Sequence, residues 1–249
     1  MKYFSYNKSD NGLYIDINSI VISCKDNNET IYELDEMTLQ DFDCFILATD
    51  NGTPVGFLAS SIFDEASYEI IGAVIPGRRQ RGIFRKMLEE FNREFNPRKI
   101  VFSGKNTYNG FSECSYSLGY PVMDCEHLME FDRNNFIPET TTLLEAEFDE
   151  EASTYYYYLG NDFIGSCSIC DETSIINIYN VYVEPEYRNR GYGSEIISDV
   201  LWDLVNSDKK IQLQVSGHNH AALKLYGKCG FTITDTVVLY SRESQENTI

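Results

Sequence analysis

The strand-forming run Ile178-Tyr179-Asn180-Val181-Tyr182-Val183 leads through Glu184-Pro185-Glu186-Tyr187 into Arg188-Asn189-Arg190-Gly191-Tyr192-Gly193. Such an R-x-x-G-x-G pattern removes side chains where backbone N–H groups must approach a ligand closely. Unpaired N–H groups at a helix N-terminus, with the helix dipole behind them, suit a pyrophosphate. Taken alone, the pattern also fits a turn that merely needs glycine. A second group follows in Asn219-His220-Ala221-Ala222-Leu223-Lys224-Leu225-Tyr226-Gly227-Lys228-Cys229-Gly230-Phe231. Asn219 suits an N-cap and Gly230 a C′ position, which predicts a helix of three turns. Asn219, Ala222 and Tyr226 then share one stripe, and the small Ala222 leaves room for a chain lying across it. Asn219 as a cap and Tyr226 as a packing residue are the ordinary alternatives.

Other reactive residues carry less. Cys167 and Cys170 form a C-x-x-C inside Phe163-Ile164-Gly165-Ser166-Cys167-Ser168-Ile169-Cys170, which reads as a strand. A spacing of three sends them to opposite faces, and no second pair stands at zinc spacing. His218 and His220 have no carboxylate or thiol close by in sequence to complete a ligand set. No metal is expected.

The elements that position these residues occur twice. Phe45–Thr49 and Val55–Ala59 read as two strands around a turn, as do Tyr155–Leu159 and Phe163–Gly165. Gly56 and Gly165 are 109 residues apart, and Pro76 with Pro185, Arg79 with Arg188, Arg81 with Arg190 and Gly82 with Gly191 share that offset. A period this long indicates two copies of a domain rather than a solenoid. Each copy continues into an amphipathic helix: Phe84, Met87, Leu88, Phe91 and Phe95 share one face in the first, and Ile196, Ile197, Val200, Leu201, Leu204 and Val205 in the second. A strand follows (Lys99–Phe102; Lys210–Val215), then a Ser-Gly-x-Asn turn and a short helix. The polar stretch from Asp132 to Pro138 marks the boundary.

Composition narrows the class of protein. The 249 residues include 20 basic and 39 acidic side chains, a formal charge of −19, which argues against sequence-independent nucleic-acid binding. An acidic surface solubilises a protein and also attracts cationic small molecules or peptides. No apolar run reaches signal-peptide or membrane-span length, and seven cysteines without an export signal point to reduced thiols in the cytoplasm.

The paired motifs resemble those of the GNAT superfamily of N-acetyltransferases. The family's [Q/R]-x-x-G-x-[G/A] signature matches Arg188, Gly191 and Gly193, and its N-x-x-A-x-x-L-Y…G-F segment matches Asn219, Ala222, Leu225, Tyr226, Gly230 and Phe231. The resemblance is strongest over residues 155–240. It implies an α+β fold of two GNAT-like domains, residues 1–136 and 137–249, each a mixed, mostly antiparallel twisted sheet flanked by helices. The sheet is splayed between its fourth and fifth strands, with the thioester held in the splay. It further implies that acetyl-CoA is held by Val181, Tyr182, Val183, Arg188, Asn189, Arg190, Gly191, Tyr192, Gly193, Ser194, Asn219 and Ala222, and that Tyr226 protonates the leaving thiolate. The expected reaction is direct acetyl transfer to a primary amine, with Glu184 nearest the strand end as a candidate base. The alternative is a catalytically silent acyl-CoA-binding or scaffold module.

The first half departs from the pattern. Phe84 stands at the position of Gly193, and the position of Tyr226 falls on Glu113, Ser115 or Tyr116 according to where the gap is placed. This half is expected to be degenerate. Its cluster of Arg78, Arg79, Arg81, Arg85, Lys86, Arg93, Arg98 and Lys99 suits either an anionic ligand or a solvated helix face interleaved with Glu89, Glu90 and Glu94.

Overall fold

In a computed structural model of the chain, which describes residues 1–7, 11–25, 39–64, 66–105, 110–135 and 143–243, both expected hairpins form. Strands β2 (Cys44–Asp50) and β3 (Thr53–Asp64) turn at Asn51-Gly52, both at positive φ, the conformation that matches strand twist in a two-residue hairpin. The second hairpin joins β8 (Thr154–Leu159) to β9 (Asp162–Asp171). Contacts gather the chain into two units: Met1–Met123 with the chain end from Val238, and Asp124–Val237. The boundary read between residues 136 and 137, and Asn106 of the first Ser-Gly-x-Asn turn, lie outside the described residues.

In the first unit, β1 (Lys2–Tyr6), β2, β3, β4 (Ser67–Val74) and β5 (Lys99–Lys105) neighbour one another in that order. Only the β4–β5 pair is parallel. Helix α1 (Asn11–Lys25) buries Leu13, Ile17, Ile20, Val21 and Cys24 against Phe45, Leu47, Phe57 and Ile71. Helix α2 (Ile83–Phe95) buries Ile83, Met87, Leu88 and Phe91, and α3 (Phe111–Leu118) ends on Gly119 at positive φ.

The second unit has the strand order β6-β11-β10-β9-β8-β7, from β6 (Val122–Phe131), β11 (Lys210–Ser216), β10 (Ile175–Val183) and β7 (Glu145–Asp149) with the hairpin between. Again a single pair, β10–β11, is parallel. Helix α4 (Tyr192–Leu204) packs one face on the sheet, and Ile196, Ile197, Val200 and Leu201 are fully buried there. Burying each such side chain contributes roughly 1.5–3 kcal/mol. Helix α5 (His220–Lys228) leads into β12 (Phe231–Glu243), whose last residues belong to the first unit. Both units are therefore mixed, mostly antiparallel sheets with flanking helices.

Candidate acyl-transfer site

Two irregularities in the second unit shape its central strands. Ladder pairing between β10 and β11 joins Ile175–Ile178 to Lys210–Leu213 and stops there, although the strands continue to Val183 and Ser216. On its other edge β10 carries a bulge: Tyr179 faces Ser168 but Tyr182 faces Ser166, and Asn180 takes φ 49°. A bulge leaves backbone groups of the extra residue without ladder partners. Val181, Tyr182 and Val183 form its exit. Gly165, opposite Val183, lets the strand cross closely, since a Cβ there would strike the Tyr182 carbonyl oxygen.

The glycine turn then takes the expected form. A 3-10 turn from Pro185 to Tyr187 is followed by extended Arg188, Asn189 at φ 59° and Gly191 at φ 94°, the N-cap of α4. Gly191 receives no side-chain cap bond, and a Cβ built on it would meet no atom within 4 Å. The space in front of the helix N-terminus is open, as an approaching anion requires. The Arg188 Nε–H donates to the Val183 carbonyl at 2.8 Å, and its guanidinium lies over the Tyr182 ring. Arg190 lies over Tyr187 in the same way. Gly193 has a packing reason that spacing did not reveal: a Cβ would lie 3.2 Å from Leu225 Cδ2, so the glycine lets α4 and α5 approach. Tyr192 and Ser194 complete the first turn of α4, where the Ser194 N–H donates to the Gly191 carbonyl at 2.9 Å.

Asn219 caps α5, its side chain accepting the Ala222 N–H at 3.1 Å. Tyr226 is 7% exposed, edge-on to Phe231, and its hydroxyl bonds to no described residue. Burial raises its pKa to about 12, so the phenol stays protonated at neutral pH. Glu184 is engaged, because its carboxylate accepts the Tyr182 hydroxyl at 2.9 Å. Cys167 is fully buried, with its thiol pushed up to about 12 by burial, whereas Cys170 is exposed on the opposite strand face. Among the described residues no group of three His, Cys, Asp or Glu side chains could hold a metal ion.

The first unit copies the turn and not the rest. Gln80 at φ 57° and Gly82 at φ 73° repeat Asn189 and Gly191, and the Arg79 Nε–H donates to the Val74 carbonyl at 2.8 Å. The β4–β5 ladder also stops early, at Ile70 and Phe102. However, β4 pairs with β3 without a break from Gly56–Val74 to Ile62–Tyr68, so the bulge is missing. Phe84 packs on Phe102 with ring centroids 5.9 Å apart, and its edge lies 3.0 Å from where a Gly72 Cβ would be. With Gly119 set against Gly230, Phe111 stands in the place of Ala222, pressed onto Gly104, and buried Ser115 in that of Tyr226. Most of the basic cluster is paired: Arg78 with Asp50, Lys86 with Glu89, Arg93 with Glu90, Arg98 with Asp64, and Arg85 with the Ser117 carbonyl. Those pairings fit the solvated-face reading.

A parallel strand pair that parts beside a glycine turn is the arrangement that the resemblance to the GNAT superfamily implies. Residues 122–231 match the model of the Acetyltransferase (GNAT) family. A GCN5-related N-acetyltransferase from Sphaerobacter thermophilus is similar at TM-score 0.74 and 13% identity, over 97% of this chain and 95% of that one. A tandem GNAT protein from the clavulanic acid biosynthesis pathway is similar at TM-score 0.67 and 12% identity, over 97% and 98%. The glucosamine N-acetyltransferase region of a fungal multi-domain GH3 β-N-acetylglucosaminidase gives TM-score 0.71 and 12% identity, over 97% of this chain and 38% of that one. No curated protein matches the sequence. Residues 122–231 are thus similar in sequence to the GNAT family, and the chain as a whole has the fold of GNAT proteins, a tandem one among them. Proteins of this family use an acyl-CoA cosubstrate. Among the described residues no helix is long and apolar enough to cross a membrane.

Proposed function

We propose that the second half moves an acetyl group from acetyl-CoA to a primary amine by direct transfer, in the cytoplasm. One observation carries the reading: a buried Tyr226 hydroxyl without a partner among the described residues, on the same helix whose Leu225 packs onto Gly193 of the turn. Acetyl-CoA supplies an activated thioester. The pyrophosphate is held by the N–H groups of Asn189 to Gly193, flanked by Arg188 and Ser194, and the pantetheine arm by backbone groups of Val181 to Val183, with Asn219 and Ala222 along the other wall. An amide freed by the bulge near Val181 supports negative charge on the carbonyl oxygen. Tyr226 donates to the departing sulfur. Calorimetry with acetyl-CoA tests the placement. Gly191→Glu, which puts bulk and negative charge in front of the α4 N-terminus, should abolish binding with the fold retained by circular dichroism. Parent-like affinity in a folded variant refutes it.

A further inference from the structure

At the end of β11 the chain brings together groups far apart in sequence. His218 Nδ1 lies 2.6 Å from Asp124 Oδ1, and the Ser216 hydroxyl donates to the same carboxylate at 3.0 Å. The Cys125 N–H donates to it as well, at 2.7 Å. With His218 donating, these bonds hold the Asp124 carboxyl well below the usual carboxylate range. The turn itself is fixed. The Gly217 N–H donates to the Cys125 carbonyl at 2.7 Å, the His218 N–H to Ser216 Oγ at 3.2 Å, and a Cβ at Gly217 would strike Cys125 Sγ.

We propose that His218, oriented by Asp124, is the general base that takes the proton from the acceptor amine; this rests on the acetyltransferase reading above. Position supports it first. The pair stands past Leu213, where β11 has left β10, and immediately before Asn219. The face supports it next. Leu213 and Val215, opposite Met129 and His127, point into the core, so Ser216 points to the other face. That face also carries Asn177, Gln212, Gln214 and Glu126, a polar and acidic surface suited to an ammonium group. Availability completes the case. With Nδ1–H donated to Asp124, the lone pair on Nε2 has no partner among the described residues, and the His218 side chain is 74% exposed. Glu184, the alternative, already accepts Tyr182.

Protons balance in the resulting step. The amine nitrogen bonds to the acetyl carbon as the C–S bond breaks. Tyr226 gives its proton to sulfur, and His218 Nε2 takes the proton shed by nitrogen. Solvent then returns a proton to Tyr226 and receives the one on His218.

The test uses the full chain, acetyl-CoA and a panel of spermidine, tyramine, glucosamine and a lysyl peptide, with free-thiol release as the readout. His218→Ala should lower kcat on the order of 10²–10³-fold. Acetyl-CoA affinity should stay within about twofold of the parent's, since an exposed side chain past the pyrophosphate turn contributes little to it. Added imidazole should restore a measurable part of the rate, which no loss of packing would allow. Asp124→Asn, at a positioning residue, should lower kcat in the parent and change little in the His218→Ala background. A His218→Ala rate within about threefold of the parent, or a loss seen in acetyl-CoA affinity and not rescued by imidazole, overturns the base assignment alone. A parent that binds acetyl-CoA and releases no thiol with any of the four amines overturns the transferase reading, and the base with it.

Discussion

Replacing Tyr226 by Phe should make the protein a poorer catalyst and a more stable fold. The ring is buried, meets Phe231 edge-on, and would keep its packing, while the hydroxyl it loses bonds to no described residue. A buried hydroxyl without a partner costs roughly 1–3 kcal/mol. Its removal should therefore raise the melting temperature, by about 2–4 °C for each kcal/mol in a chain of this size. Activity should move the other way. Burial sets the phenol at about 12, so it is fully protonated at neutral pH and can donate as charge develops on sulfur. General-acid loss lowers rates by on the order of 10²–10⁴. The interaction strengthens only in the transition state, so the loss belongs in kcat rather than in acetyl-CoA affinity. Thermal unfolding and single-turnover acetyl transfer at saturating acetyl-CoA measure the two effects. A lowered melting temperature would show that the hydroxyl is satisfied in the free protein. A rate within about threefold of the parent would return Tyr226 to a packing role.

Three further outcomes follow from the same geometry. Calorimetry should find one acetyl-CoA per chain, because Phe84 and Phe111 occupy the places of Gly193 and Ala222 in the first half; two sites per chain would refute that assignment. A fragment of residues 137–249 lacks β6, which covers β11 and buries Met129 and Phe131, so it should show no cooperative unfolding transition; a sharp one would contradict the pairing. Stability should fall as pH rises from about 9 toward about 12, because burial raises Cys167, Tyr155 and Tyr226 to about 12, and Tyr157 further still, so the native state holds protons that the unfolded chain releases. Urea midpoints across that range measure it, and a constant midpoint would show that the thiol and the three phenols ionise alike in both states.

Much of the local structure around the candidate site was legible because its signals are local. Proline at the head of each 3-10 turn, arginine three residues later and glycine at positive φ are constraints of a single turn, and they recur at the same offset of 109 in both halves. The Asn219 cap and the apolar face of α4 are equally local. What stayed hidden depends on pairing across the chain. No local signal in β6 says that its neighbour is β11, some 80 residues on. The same holds for His218, whose carboxylate partner was sought nearby in sequence and is Asp124, 94 positions away. Glu195 is a third case: a carboxylate in the first turn of α4 reads as a dipole partner, yet it is buried and accepts the backbone N–H groups of Leu143 and Leu144. The missing bulge in β4 also left no mark in composition, because it is one residue of register.

Free-thiol release from acetyl-CoA, followed in the parent and in Gly191→Glu against the four amines, tests the central claim most directly. The expected result is amine-dependent thiol release by the parent with at least one of the four, and none by the variant. Tight acetyl-CoA binding by the parent with no thiol released in the presence of any amine would contradict it and leave a silent acyl-CoA-binding module.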